Sequence, residues 1–186
     1  MLSREIINIY GSKTFMKVKA NAFGIHKVLL AFGEFDPNTK ALSKSIDFYI
    51  DANKFRVFCQ DVLSGRLIKL AKKEAEKNPK FPLPAYIVQG GTSAEKANRP
   101  DGKPEARVFK FSQSNTAGFY LFQCESGPGK QSPEGLISLD GKAEKRIMVR
   151  CSIEDLKSLC LSVPAEYDAY LASCYGKDLF DYKKGE

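Results

Sequence analysis

The chain has 186 residues, of which 43% are hydrophobic and 27% charged; that is enough for one sizeable domain or two small halves sharing a core, and it excludes a disordered chain. No apolar run reaches the roughly 18 residues of a membrane span, so no membrane partner is expected. The net charge of +7 points towards an anionic partner such as nucleic acid, although many basic proteins bind none.

The opening "MLSREIINIY" carries Arg4 and Glu5 and has no apolar stretch long enough for a secretory signal, so a cytoplasmic location is expected. In "KTFMKVKANAFGIHKVLLAFGEF", alternation over Lys13 to Ala20 predicts a strand, Asn21 to Gly24 a turn, and Ile25 to Phe35 the hairpin partner. Lys13, Phe15, Lys17 and Lys19 share one face of the first strand; Met16, Val18 and Ala20 share the other. "IDFYIDANKFRVFC", from Ile46 to Cys59, predicts a strand whose Asp51 caps a helix. That helix buries Phe55, Phe58, Cys59, Val62, Leu67 and Leu70 before a lysine-rich, solvated end.

The middle, "NPKFPLPAYIVQGGTSAEKANRPDGKPEA", holds prolines 79, 82, 84, 100 and 104, and reads as a connector interrupted by a short strand at Tyr86 to Gln89. "ARVFKFSQSNTAGFYLFQCES" then predicts a second hairpin: a strand over Ala106 to Ser114, a turn ending at Gly118, and a strand over Phe119 to Glu125. An insert-like loop follows, and "IMVRCSIEDLKSLC" repeats the strand-to-helix order. Ser152, with Asp155 three residues on, approaches a capping box. Ile153, Leu156, Leu159 and Cys160 form the helix's apolar stripe until Pro164 breaks or restarts it. After it, Tyr167, Tyr170, Leu171 and Cys174 mark another amphipathic stretch.

The halves match. An offset of 101 pairs Ile46 with Ile147, Phe48 with Val149, Phe55 with Leu156, Phe58 with Leu159 and Cys59 with Cys160. An offset of 94 pairs Gly24 with Gly118, and with it Phe15 with Phe109 and Lys13 with Arg107, which makes the second loop 7 residues longer. The expected fold class is therefore α+β: two related β-β-β(-β)-α repeats in one pseudo-symmetric domain, with curved antiparallel sheets and helices packed on them. Residues 1–78 form the first repeat, 79–105 the connector, and 106–186 the second repeat with a C-terminal helix and tail.

This order, and the phrase "FMKVKANAFGIHKVLLAFGEF…SIDFYIDANKFRVFCQDVL", resembles the repeat of the PUR proteins, which bind purine-rich elements. The same architecture resembles the Whirly proteins and the positive-cofactor-four type of coactivator. The resemblance covers most of residues 13–70 and 106–175. It implies binding of single-stranded DNA or RNA on a curved sheet, with the two repeats interlocked. The proline-rich middle, the longer second loop and the turn "SQSNTAGF", which lacks basic residues, depart from the PUR pattern.

Single-strand binders need cations along the phosphates and flat side chains against the bases. The residues that offer this are Lys13, Phe15, Lys17 and Lys19 in the first repeat, with Arg107 and Phe109 (and Phe111) on the matching face of the second. Tyr49, Arg146 and Arg150 should point away from the helix-covered core, and an arginine can both pair with phosphate and stack. The bland alternatives stand beside these: outward lysines are mostly solvated or guard an edge, and Phe15, Phe109 and Phe111 suit a core equally well. Single-stranded DNA is expected before RNA.

Nothing points to catalysis or a cofactor. His26 is the lone histidine, and "SGPGKQS" fails the phosphate-loop pattern because Cys124 stands at its first glycine position and Gln131 follows the lysine. The five cysteines contain no C-x-x-C pair and suit buried, reduced thiols. The rival functions are a homodimeric protein-interaction module without nucleic-acid binding, and a nuclease subunit, which would need clustered carboxylates.

Overall fold

The computed structural model describes the backbone of residues 4–182 and side chains up to residue 177. A first antiparallel sheet contains β1 (Glu5–Tyr10), β2 (Thr14–Lys19), β3 (Lys27–Phe35) and β4 (Leu42–Asp51), in that order. Alternation along β2 and β4 gives this sheet a core face, on which Ile9, Met16, Val18, Leu30, Phe32, Ile46, Phe48 and Ile50 are buried. β1, formed by the opening segment, was not foreseen; its Ile7 and Ile9 sit opposite Val18 and Met16. The turn after β2 is a 3-10 helix, Ala20–Ile25, that closes with His26 at φ 54°.

β4 runs straight into α1 (Ala52–Leu63), and the Asp51 carboxylate accepts hydrogen bonds from the Asn53 and Lys54 amides, both at 3.0 Å. The expected single helix divides at Ser64–Gly65, where Gly65 has φ 78°, and resumes as α2 (Arg66–Lys77). The break rotates the apolar stripe, so Ala71 is buried while Leu70 is 41% exposed, contrary to its expected place in the core.

The second sheet orders β5 (Tyr86–Thr92), β6 (Glu105–Gln113) and β7 (Phe119–Gln131), with β8 (Ile137–Leu139) and β9 (Lys145–Ser152) both pairing along β7. A four-residue helix, α3 (Ala94–Ala97), lies between β5 and β6. The long second loop is thus partly ordered: β8 continues the sheet beyond the reach of β9. α4 (Ile153–Tyr182) starts at a closed capping box, in which Ser152 Oγ accepts the Asp155 amide at 3.1 Å and Asp155 Oδ2 accepts the Ser152 amide at 3.3 Å. The helix does not stop at Pro164. Cys160 loses its helical donor there, but Tyr167 beyond the proline packs edge-on against Phe23 at 5.0 Å and meets His26 Nδ1 at 2.8 Å, which holds the axis on course. No helix among the described residues is long and apolar enough to cross a membrane.

Strand register fixes how the halves correspond. In the first sheet one rung reads Met16, Phe32, Ile46; in the second, Phe109, Cys124, Ile147. Since Ile46 matches Ile147, Met16 matches Phe109 at an offset of 93, one residue less than the glycine turns imply. A slip of one residue exchanges the faces of a strand. Phe109 is therefore not the outward partner of Phe15. It is fully buried, packed on Phe122 at 5.8 Å, Phe48 at 5.7 Å and Phe58 at 6.3 Å, at the centre of the core where the two sheets meet. Phe111 is buried beside it. The two-repeat α+β fold is the fold of the chain.

Cys59, Cys124, Cys151 and Cys160 are buried. Desolvation pushes the Cys124 and Cys151 thiols up to about 12, and the contact between Cys59 and Cys160, followed by burial, pushes the Cys59 thiol up as well. All four behave as small hydrophobes.

Candidate nucleic-acid interface

The outer face of the first sheet carries three of the expected residues. Phe15 lies flat across β3: a Cβ on Gly33 would come within 2.2 Å of its ring, so only glycine leaves room for it. Phe35 packs on the same ring at 5.0 Å and Tyr10 at 6.3 Å, which makes a small aromatic patch. Lys17 sits over Phe15 at 5.7 Å but is tied to Glu5 at 2.8 Å; that hydrogen bond raises the lysine's pKa and lowers the carboxyl's. Lys19 is half-buried further along β2.

Lys13 lies just before β2, in the turn after β1, and this turn reaches across to the second sheet. Thr14 Oγ1 donates to the Met148 carbonyl at 2.8 Å, closing the turn against the free edge of β9. Between them opens a cleft of about 730 Å³, lined by Tyr10 and Lys13 on one wall and by Phe119, Arg146, Met148 and Arg150 on the other. The Arg150 guanidinium lies over the Phe119 ring at 4.9 Å. Lys13 thus shares one concave surface with Arg146 and Arg150, which are more than 130 residues away in sequence.

Arg146 is anchored from beneath. Its Nε donates to Glu125 Oε1 at 2.7 Å, Lys110 reaches the other oxygen at 2.6 Å, and Gln123 donates to Oε1 at 2.7 Å. The Glu125 side chain is 4% exposed whereas that of Arg146 is 62% exposed. Burial opposes ionisation of Glu125, but the bonds and charges of Lys110 and Arg146 outweigh it and hold the carboxyl below its ordinary range. The Arg146 side chain is therefore fixed at its Nε while most of it faces solvent.

Tyr49 and Arg107 come together elsewhere, in a second cleft of about 440 Å³ between the edges of β4 and β5. Tyr49 is 45% exposed, and Arg107 donates to Thr92 Oγ1 at 2.8 Å. The structure thus separates the expected residues into a β2 face, two clefts and, for Phe109, the core. Lys110, Phe119, Met148 and Tyr10 were missed. In the rungs, Lys110 is the counterpart of Lys17, and period-2 alternation from Ala106 would have exposed it once the halves were aligned on Met16 rather than on the glycine turn.

No family model and no curated protein matches the chain. Among solved structures, the plant transcriptional regulator PBF-2 superimposes over 97% of this chain and 88% of its own, with a TM-score of 0.52 and 10% identity. The fold is Whirly-like. WHY1 from Arabidopsis thaliana overlays 96% of this chain and 94% of its own at a TM-score of 0.48 and 12% identity. At 10% identity the likeness to PBF-2 is one of architecture, so the chemistry of this Whirly-like chain has to be read from its own clefts.

Proposed function

We propose that the chain binds single-stranded nucleic acid, DNA before RNA, with low sequence specificity and without catalysing a reaction on it. The observation that carries this reading is the first cleft, where Lys13, Arg146 and Arg150 surround a concave wall that contains Phe119 and Met148. The cations follow the phosphates and release their counterions, and unpaired bases stack on the exposed guanidinium plane of Arg150, which the Phe119 ring supports from beneath. A duplex keeps its bases paired and cannot offer their faces to this wall. The β2 face, with Phe15, Lys17 and Lys19, extends the cationic surface from the same turn. We take residues 1–78 and 106–186 as the bodies of the two repeats, with β5 from the 79–105 stretch standing in the second as the counterpart of β1, acting in the cytoplasm, where the thiols remain reduced.

Anisotropy titrations with labelled single-stranded DNA, single-stranded RNA and duplex at two salt concentrations test it. With three cations in the cleft, the log–log salt slope on single strands should be about −2. A flat salt response, or duplex binding as tight as single-strand binding, overturns the proposal.

A second reading, a homo-oligomeric interaction module, draws on the groove between α1 and α4, where Val57 and Leu161 are each about 60% exposed beside Leu63 and Pro164. A stable dimer by mass measurement, combined with no oligonucleotide signal, favours it.

A further inference from the structure

The second cleft is the first one repeated. In the first sheet Lys27 pairs with Asp51 and Leu29 with Tyr49; the same rungs of the second sheet pair Phe119 with Ser152 and Leu121 with Arg150. Asp51 and Ser152 cap α1 and α4 in turn. On the opposite wall, the rung Thr14–Glu34–Lys44 corresponds to Arg107–Ser126–Lys145. Tyr10 and Gly11 at the end of β1 correspond to Gln89 and Gly90 in β5, since Tyr10 lies opposite Phe15 and Gln89 opposite Val108. Each cleft is therefore built by the first hairpin of one repeat standing against the last strand of the other. Each also contains three cations: Lys13, Arg146 and Arg150 in one, Lys27, Lys54 and Arg107 in the other.

The cations and an aromatic are kept but their positions are exchanged. Where the first cleft has an aromatic at Phe119 and a cation at Arg150, the second has a cation at Lys27 and an aromatic at Tyr49. Among the described residues no cation lies over the Tyr49 ring and no other ring packs on it, so its exposed face is open. The one carboxylate in the second cleft, Asp51, is occupied by the α1 amides.

We propose that this cleft is a second single-strand site, in which a base stacks on Tyr49 and the adjoining phosphates meet Lys27, Lys54 and Arg107, so that one chain holds two separate segments of single strand. The inference rests on the reading of the first cleft. It also gives the sites unequal character: the first offers an aromatic already covered by a guanidinium, the second an uncovered ring.

The test is stoichiometry. Native mass spectrometry and calorimetry with a hexathymidylate in excess should give two oligonucleotides per chain at low salt. The double variant Tyr49→Ala with Lys27→Glu, at two exposed positions, should retain one, and the variant Arg150→Glu with Phe119→Ala should retain the other. Loss of the Tyr49 stack should weaken the affected site roughly five- to 150-fold. One oligonucleotide per chain in the natural protein, abolished by the Arg150 variant and untouched by the Tyr49 variant, overturns the second site and leaves the first intact. No oligonucleotide bound at all overturns both. If a deca-glutamate peptide binds the Tyr49 cleft in place of the oligonucleotide, pairing with the unpaired edges of β4 and β5, this proposal also fails. Circular dichroism melts of each variant keep a folding defect from passing as a binding defect.

Discussion

Phe109 and Phe15 show how much depends on a single residue's side of a strand. Phe109 fills the centre of a cluster with Phe122, Phe48 and Phe58, so Phe109→Ala should destabilise the fold by about 3–5 kcal/mol in urea titration, far more than it alters binding. Arg150→Ala removes both a phosphate partner and the cover of Phe119, and should weaken single-strand binding by about 1–3 kcal/mol in anisotropy while the urea midpoint scarcely moves. Glu125 joins stability to the interface. Its carboxyl is depressed in the folded state, so its contribution is complete above the ordinary carboxylate value and is lost as pH falls through the lower folded value. Glu125→Gln should cost about 1–3 kcal/mol at neutral pH and flatten the acid limb of the stability profile measured by chemical denaturation.

At the scale of elements, the two strand-to-helix junctions have the most explicit local chemistry. Asp51 and Ser152 each occupy two roles, ending a strand and satisfying the first free amides of a helix. Asp51→Ala and Ser152→Ala should each lower stability by about 0.5–2 kcal/mol, read as a shift in the urea midpoint with the slope unchanged. These junctions were legible because caps and apolar stripes are local: Asp51, Phe55, Phe58 and Cys59, and their echoes at Ser152, Leu156, Leu159 and Cys160, stand at spacings that only a helix places on one face. The break at Gly65 was not read, because a glycine within a helical stripe is tolerated as often as it ends a helix. Nor was the continuation through Pro164, which depends on Tyr167 finding Phe23 and His26 from another repeat.

For the whole molecule, the repeats do not own separate cores. Phe109 of the second packs on Phe32, Phe48 and Phe58 of the first, and α1 and α4 bring Cys59 and Cys160 together. A chain ending at residue 78 should therefore show no cooperative urea transition by circular dichroism, whereas the full chain should unfold in one step. The sequence by itself determined the duplicated strand-to-helix plan, the α+β class and the basic character, because periodicity, capping and charge are properties of neighbouring residues. It also nominated Lys13, Arg146, Arg150, Tyr49 and Arg107 as outward or cationic groups. Only the tertiary structure decided that these residues divide between two clefts, that Phe109 is core, that β1 and β5 complete the clefts, and that Lys110 helps hold the Glu125 anchor of Arg146. The physical reason is register. Which residue stands opposite which across a sheet is set by contacts between distant strands, and a one-residue difference, invisible along the chain, turns a side chain from the solvent to the core.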